Sequence, residues 1–147
     1  MDRDRMLRDQ VINLLRGGNA HMGFDAAAAD FPDAQINARP PNVAYTFWHL
    51  IEHLRLTQAD ILEYVTSAAY REREWPREYW PAPDAQATQA DWDASIAAFR
   101  RDLDQFIAIV SAEETDLFGP VPSNAYHTGE LGILRQVADA WGPGHRT

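Results

Sequence analysis

Apolar residues recur every three or four positions in several segments of the chain, which is the spacing of one face of a helix. No segment alternates apolar and polar residues in the way that predicts a strand. The first predicted helix runs from about Asp2 to Arg16 and stops at Gly17-Gly18. A short alanine-rich helix is predicted next, between Phe24 and Phe31. The apolar face of the first helix consists of Leu7, Val11, Leu14 and Leu15.

Two longer helices are predicted in the middle of the chain. The earlier one runs from about Val43 or Thr46 to Thr66, and the later one begins after Thr88. Thr88 followed by Asp91 resembles a capping pair, in which each side chain accepts a hydrogen bond from the other residue's backbone N–H. The apolar stripe of the earlier helix consists of Phe47, Leu50, Leu54, Ile61 and Val65. The stripe of the later helix consists of Trp92, Ile96, Phe99, Leu103, Phe106 and Val110.

The connection between these two helices, residues 67–90, has no sustained period and is rich in proline. Its tryptophan and tyrosine side chains predict that it packs onto the helices instead of extending into solvent. A last helix is predicted from near Ser123 to Trp141, followed by a short tail at 142–147. The segments together predict a single all-α domain over residues 1–147. We expect a helical bundle with one long connection between its second and third long helices.

Composition narrows the classes of function. The chain has 147 residues, no cysteine and a formal net charge of −9, and it contains 13 arginines but no lysine. The missing cysteines exclude a disulfide framework and a cysteine thiolate as nucleophile. An acidic chain without a basic run matches phosphate backbones poorly, so we expect no nucleic-acid partner. The chain has no apolar stretch of membrane-spanning length and no signal peptide, so we expect a cytoplasmic protein without a membrane partner.

Histidines are the candidate metal ligands. His49 and His53 lie four residues apart on the second long helix, and His127 lies on the apolar stripe of the last helix. At about 100° per residue, His53 falls nearer the buried stripe and His49 at its margin. Core-facing histidines of a bundle can converge on a metal ion, but two imidazoles are too few for zinc. Periodicity alone favours separate core histidines, each satisfied by a hydroxyl or a carbonyl.

Asp60 lies two turns after His53 on the same side of the helix. A carboxylate at that distance cannot share a ligand sphere with the histidine. It can still hydrogen-bond a group that supports the histidine, and such supporting bonds orient metal ligands.

Four motifs occur in order along the chain: GGNAHM at 17–22, WHLIEHLR at 48–55, WP at 75–76 with YWP at 79–81, and NAYH at 124–127. Together they resemble the DinB-like superfamily of damage-inducible proteins. The resemblance implies a DinB-like four-helix bundle, usually a homodimer, with a divalent metal, often zinc or nickel, held by three histidines at one end. It also implies kinship with metal-dependent transferases and isomerases that use low-molecular-weight thiols.

Carried over onto this chain, the resemblance implies metal ligands at His53 and His127, and His49 is a further candidate. The family's third histidine lies four residues before the Tyr-His pair, and that position is Ser123 here. Relatives carry a longer segment at this point, so the short Pro122–Ser123 junction is either a true deletion or an omitted segment. The shortened last helix predicts either a homodimer that covers the exposed apolar faces or a marginal fold.

Two functions stay open at this point. A metal-dependent enzyme, a thiol transferase or a hydrolase, would use the ion to hold a thiolate or to activate a water molecule. A non-catalytic dimeric bundle, acting in a stress response or as a binding module, would have lost its metal site, in keeping with the missing third histidine. The residues do not decide whether the chain is an enzyme, and they do not name its substrate.

Overall fold

A computed structural model describes residues 2–17 and 22–113 of the chain. Within these ranges the chain forms α1 (Arg3–Arg16), α2 (Phe24–Ala28), α3 (Phe47–Thr66) and α4 (Gln89–Ser111), with a 3-10 turn at Asp33–Gln35. These ranges contain no strand, which confirms the prediction of an all-α, DinB-like bundle. The predicted last helix, the Pro122–Ser123 junction and the tail at 142–147 lie outside the described residues.

Both long helices begin at a threonine that caps them. The Thr46 hydroxyl accepts the backbone N–H of His49 at 3.1 Å, and His49 Nδ1 accepts the N–H of Thr46 at 3.4 Å. The Thr88 hydroxyl accepts the N–H of Asp91 at 3.2 Å, and the Asp91 carboxylate accepts the N–H of Thr88 at 2.8 Å. These reciprocal bonds satisfy N–H groups that have no partner inside the helix. They confirm the Thr88 capping pair and fix the start of α3 after Thr46.

The core lies where α3 and α4 face each other, with α2 packed against them. Phe47, Leu50 and Leu54 of α3 are fully buried. Trp92 and Phe99 of α4 are almost completely buried. The Phe24 ring of α2 stacks on Phe99 with ring centroids 3.8 Å apart. These contacts confirm the apolar stripe of α4 and that of the first half of α3. The last turns of α3 leave the core, since Val65 is exposed.

Helix α1 differs from its predicted packing. Leu7 and Leu14 are exposed, whereas the buried residue of α1 is Arg8. The Arg8 guanidinium donates to the carbonyls of Val110 at 2.9 Å and Glu113 at 3.0 Å, at the C-terminal end of α4. The sequence predicts the helix correctly, but of its apolar face only Val11 and Leu15 are partly buried. Arg8 is buried beside them because the carbonyls that end a helix need donors that an apolar side chain cannot supply.

The long connection packs onto α3 as predicted. Trp80 is half-buried and packs against the core, with its ring centroid 5.1 Å from that of Tyr45. Asn37 holds the end of the connection through two bonds with the backbone of Ala87, both 2.8 Å long. Trp75 is the exception, since most of its side chain is exposed. In the part of the chain that the structure describes, no helix is both long and apolar enough to cross a lipid bilayer.

Candidate metal site around His53

His53 lies in the first half of α3 and is almost completely buried. Its Nδ1 atom lies 2.7 Å from the backbone carbonyl oxygen of Tyr79. Because a carbonyl oxygen only accepts hydrogen bonds, Nδ1 carries a proton and donates it, which places the lone pair of the neutral ring on Nε2. Histidines that bind metals typically donate their other ring N–H to a carbonyl or a carboxylate in this way.

Aromatic side chains from the connection enclose the His53 ring. The Trp80 indole is stacked on it, with ring centroids 3.8 Å apart and an angle of 10° between the planes. Trp75 approaches from another side, edge to face, with a centroid distance of 6.2 Å. The hydrogen bond to Tyr79 and the Trp80 stack together restrict the rotation of the imidazole.

Asp60 holds the same segment of the connection from two turns further along α3. Its Oδ2 atom accepts the Tyr79 hydroxyl at 2.7 Å, and its Oδ1 atom accepts the Tyr70 hydroxyl at 3.1 Å. Arg73 Nε lies 3.2 Å from the same Oδ1 atom. Desolvation, and after it the hydrogen bond to Asp60, raises the pKa of the Tyr79 hydroxyl far above its usual value. Asp60 therefore bonds Tyr79, the residue whose backbone carbonyl lies against His53, an arrangement that the sequence allows for.

His49 is buried as well, so its predicted place at the margin of the buried stripe is wrong. The Nε2 atom of His49 donates to the Ala85 carbonyl at 3.1 Å, while Nδ1 accepts from Thr46. Ala85 belongs to the connection, which a helical wheel of α3 does not include. Burial lowers the pKa of His49, and the nearby charge of Arg39 lowers it further, against the opposing effect of the Ala85 bond.

Both ring nitrogens of His49 therefore bond the backbone, and this geometry favours a structural role. Its role as a metal ligand stays a prediction that would require the ring to give up one of these bonds. Within residues 2–17 and 22–113, no three His, Asp or Glu side chains come together in a group able to hold a metal ion. His127 and Ser123, like His21 and His145, lie outside the described residues.

The donor chemistry around His53 fits one ligand of a metal site. The residue type and the proton on Nδ1 are those of a ligating histidine. Sequence reasoning missed the acceptor, because every residue has a backbone carbonyl and none marks the one that will face a histidine. The YWP segment at 79–81 was the available signal, but its sequence does not show which turn of α3 it covers.

The comparison with protein families bears on the chain as a whole. The family profile of the DinB superfamily matches residues 18–138. The chain therefore belongs to the DinB superfamily, which confirms the resemblance drawn from its motifs. No curated protein and no solved structure matches the chain.

Proposed function

We propose that the protein binds a divalent metal ion, zinc or nickel, with His53 as one ligand and His127 as another. The observation that carries the proposal is the hydrogen bond from His53 Nδ1 to the Tyr79 carbonyl, which gives the ring the tautomer of a metal ligand. Membership of the DinB superfamily supports it, since proteins of this superfamily generally bind metals.

The residues around the ring have separate tasks in this proposal. The Tyr79 carbonyl keeps the proton on Nδ1, and Trp80 covers one face of the imidazole and excludes water from it. A bound ion would supply Lewis acidity, which can hold a thiol as thiolate or lower the pKa of a water molecule. Ser123 stands where the resemblance places the family's third histidine, so a third protein ligand would have to come from another residue, with His49 as the named candidate, and the remaining position would hold water or substrate.

The resemblance also suggests the reaction and the assembly. We propose a metal-dependent thiol transferase or a hydrolase that works on a small molecule, and a homodimer in the cytoplasm. The net charge of −9 supports the absence of a nucleic-acid partner, because phosphate backbones bind basic surfaces.

Metal analysis of the purified full-length chain tests the proposal. After loading with zinc or nickel and removal of excess metal, we expect about one ion per chain by mass spectrometry. His53→Ala and His127→Ala should each lose most of the ion. His145→Ala, in the predicted tail, is the matched control and should retain it.

A second candidate function follows from Ser123. A bundle that has lost one of three histidines is a candidate for a non-catalytic, dimeric binding or stress-response module. If the wild-type chain holds neither zinc nor nickel after loading, and a chelator does not change its melting temperature, the metal proposal fails and this second function is favoured.

A further inference from the structure

Tyr79 links two positions of α3 that lie far apart along the helix. His53 and Asp60 are separated by about two turns, or about 10 Å along the axis, and lie on nearly the same side. Tyr79 spans this interval, because its hydroxyl donates to Asp60 and its backbone carbonyl accepts from His53. We propose that Asp60 is a positioning residue for His53, which it orients through the hydroxyl and the carbonyl of Tyr79.

The surroundings of Asp60 explain how it holds the connection. Its carboxylate is buried, and a buried carboxylate is costly unless hydrogen bonds and an opposite charge compensate for lost water. Three donors of the connection converge on it: the hydroxyls of Tyr70 and Tyr79, and the guanidinium of Arg73. Among these three donors, Tyr79 is the one whose backbone contacts His53.

The carbonyl of Tyr79 is held on two sides. The backbone N–H of Tyr79 donates to the Pro76 carbonyl at 3.1 Å, and its side chain is fixed at the far end by Asp60. If the hydroxyl bond is lost, the carbonyl is free to move away from Nδ1. The proton can then transfer to Nε2, and a protonated nitrogen cannot ligate a metal ion. The Asp60–Tyr79 bond thus selects the tautomer of His53.

Two tyrosine variants of the full-length protein separate positioning from simple anchoring. Tyr79→Phe and Tyr70→Phe each remove one hydroxyl from the same carboxylate, but Tyr79 alone of the two contacts His53 in the described structure. The His53 tautomer is read in the metal-free protein from imidazole ¹⁵N shifts and two-bond ¹H–¹⁵N couplings. Zinc affinity is measured separately, by competition with a chromophoric chelator.

We expect Tyr79→Phe to give a mixture of tautomers and to weaken zinc binding about tenfold, as loss of a supporting bond does in other metal sites. Tyr70→Phe should leave both quantities close to those of the wild type. Asp60→Asn, which removes the charge that attracts both hydroxyls, should shift the tautomers in the same direction as Tyr79→Phe. Circular dichroism and thermal unfolding establish that each variant is folded.

The positioning role is overturned if Tyr79→Phe keeps the wild-type tautomer, or if Tyr70→Phe disturbs it equally. The zinc part of the inference rests on the proposed function, whereas the tautomer part does not. A wild-type protein that binds no metal but shows the tautomer change in Tyr79→Phe would therefore overturn the proposed function and support the positioning role.

Discussion

The indole ring of Trp80 lies parallel to the imidazole ring of His53, with their centroids 3.8 Å apart. The residue just before it, Tyr79, accepts the Nδ1–H of the same imidazole. A hydrogen bond acts in the plane of a ring and a stack acts perpendicular to it. Two consecutive residues of the connection therefore hold the His53 ring, one in its plane and one perpendicular to it. The orientation of His53 thus depends on how the connection packs onto α3.

Replacement of Trp80 by leucine should destabilise the protein and loosen His53. Trp80 is half-buried and contacts both Tyr45 and His53, so we expect a loss of about 2 kcal/mol, below the cost of removing a fully buried aromatic side chain. Trp80→Phe keeps an aromatic face and should lose less. Urea unfolding, monitored by circular dichroism, measures the loss of stability in both variants.

Trp75→Leu is the control for the Trp80 prediction. Trp75 also approaches His53, at a centroid distance of 6.2 Å, but it is 66% exposed, so Trp75→Leu should cost clearly less free energy of unfolding than Trp80→Leu. An equal loss of stability in Trp75→Leu and Trp80→Leu would contradict the idea that the stack on His53 seats the connection.

Acidification should destabilise the protein through His49. The pKa of His49 is lowered in the folded state, chiefly by burial, from 6.5. The neutral ring therefore contributes stability that is fully present above pH 6.5 and is lost as the pH falls through the lowered value. The groups that face the ring are the N–H of Thr46, the carbonyl of Ala85 and the charge of Arg39. Protonation of Nδ1 would place two donors against each other at Thr46.

His49→Gln tests this assignment. Glutamine at this position of a helix can still accept the N–H of the capping threonine, but it does not titrate. We therefore expect the free energy of unfolding to fall less between pH 7 and pH 5 in His49→Gln than in the wild type. Parallel curves would show that other groups account for the acid sensitivity.

Local sequence predicts those parts of the fold that local chemistry determines. The cap at Thr88 and the apolar stripe of α4 are set by residues within a few turns, and both are confirmed, while the cap at Thr46 decides between the two predicted starts of α3. His49 was misplaced because its cover, Ala85, is 36 residues away along the chain.

The candidate site divides in the same way. The spacing of residues predicts that His53 lies near the buried stripe with Asp60 on the same side of one helix, whereas the role of His53 as a metal ligand is implied by the family resemblance. Tyr79 was not predicted as the intermediary, because it accepts through a backbone carbonyl, which no side-chain pattern reveals. The sequence alone therefore does not predict contacts that a side chain makes with the backbone of a residue far away along the chain.

Asn37 should be important for the end of the connection. Its side-chain amide nitrogen donates to the carbonyl of Ala87, and its amide oxygen accepts the N–H of Ala87, so the two bonds resemble those between paired β-strands. Asn37→Ala leaves two polar groups of a buried residue without these partners and should cost about 2 kcal/mol. Asn37→Asp keeps the acceptor but sets a carboxylate against the Ala87 carbonyl, so it should also destabilise. Gln86→Ala, an exposed neighbour, is the control, and a comparable loss there would contradict the prediction.

Arg8 should be the residue that docks α1 onto the end of α4. Its guanidinium donates to the carbonyls of Val110, Ala112 and Glu113 and forms an ion pair with Asp4. Arg8→Met keeps much of the apolar stem but removes every donor, so we expect a loss of about 3 kcal/mol in urea unfolding. Arg8→Lys keeps the charge but loses the planar guanidinium, so its free energy of unfolding should lie between that of the wild type and that of Arg8→Met. Arg5→Met, at an exposed position of the same helix, should stay within about 0.5 kcal/mol of the wild type. If Arg5→Met destabilises as much as Arg8→Met, the loss reflects the charge of α1 and not the cap on α4.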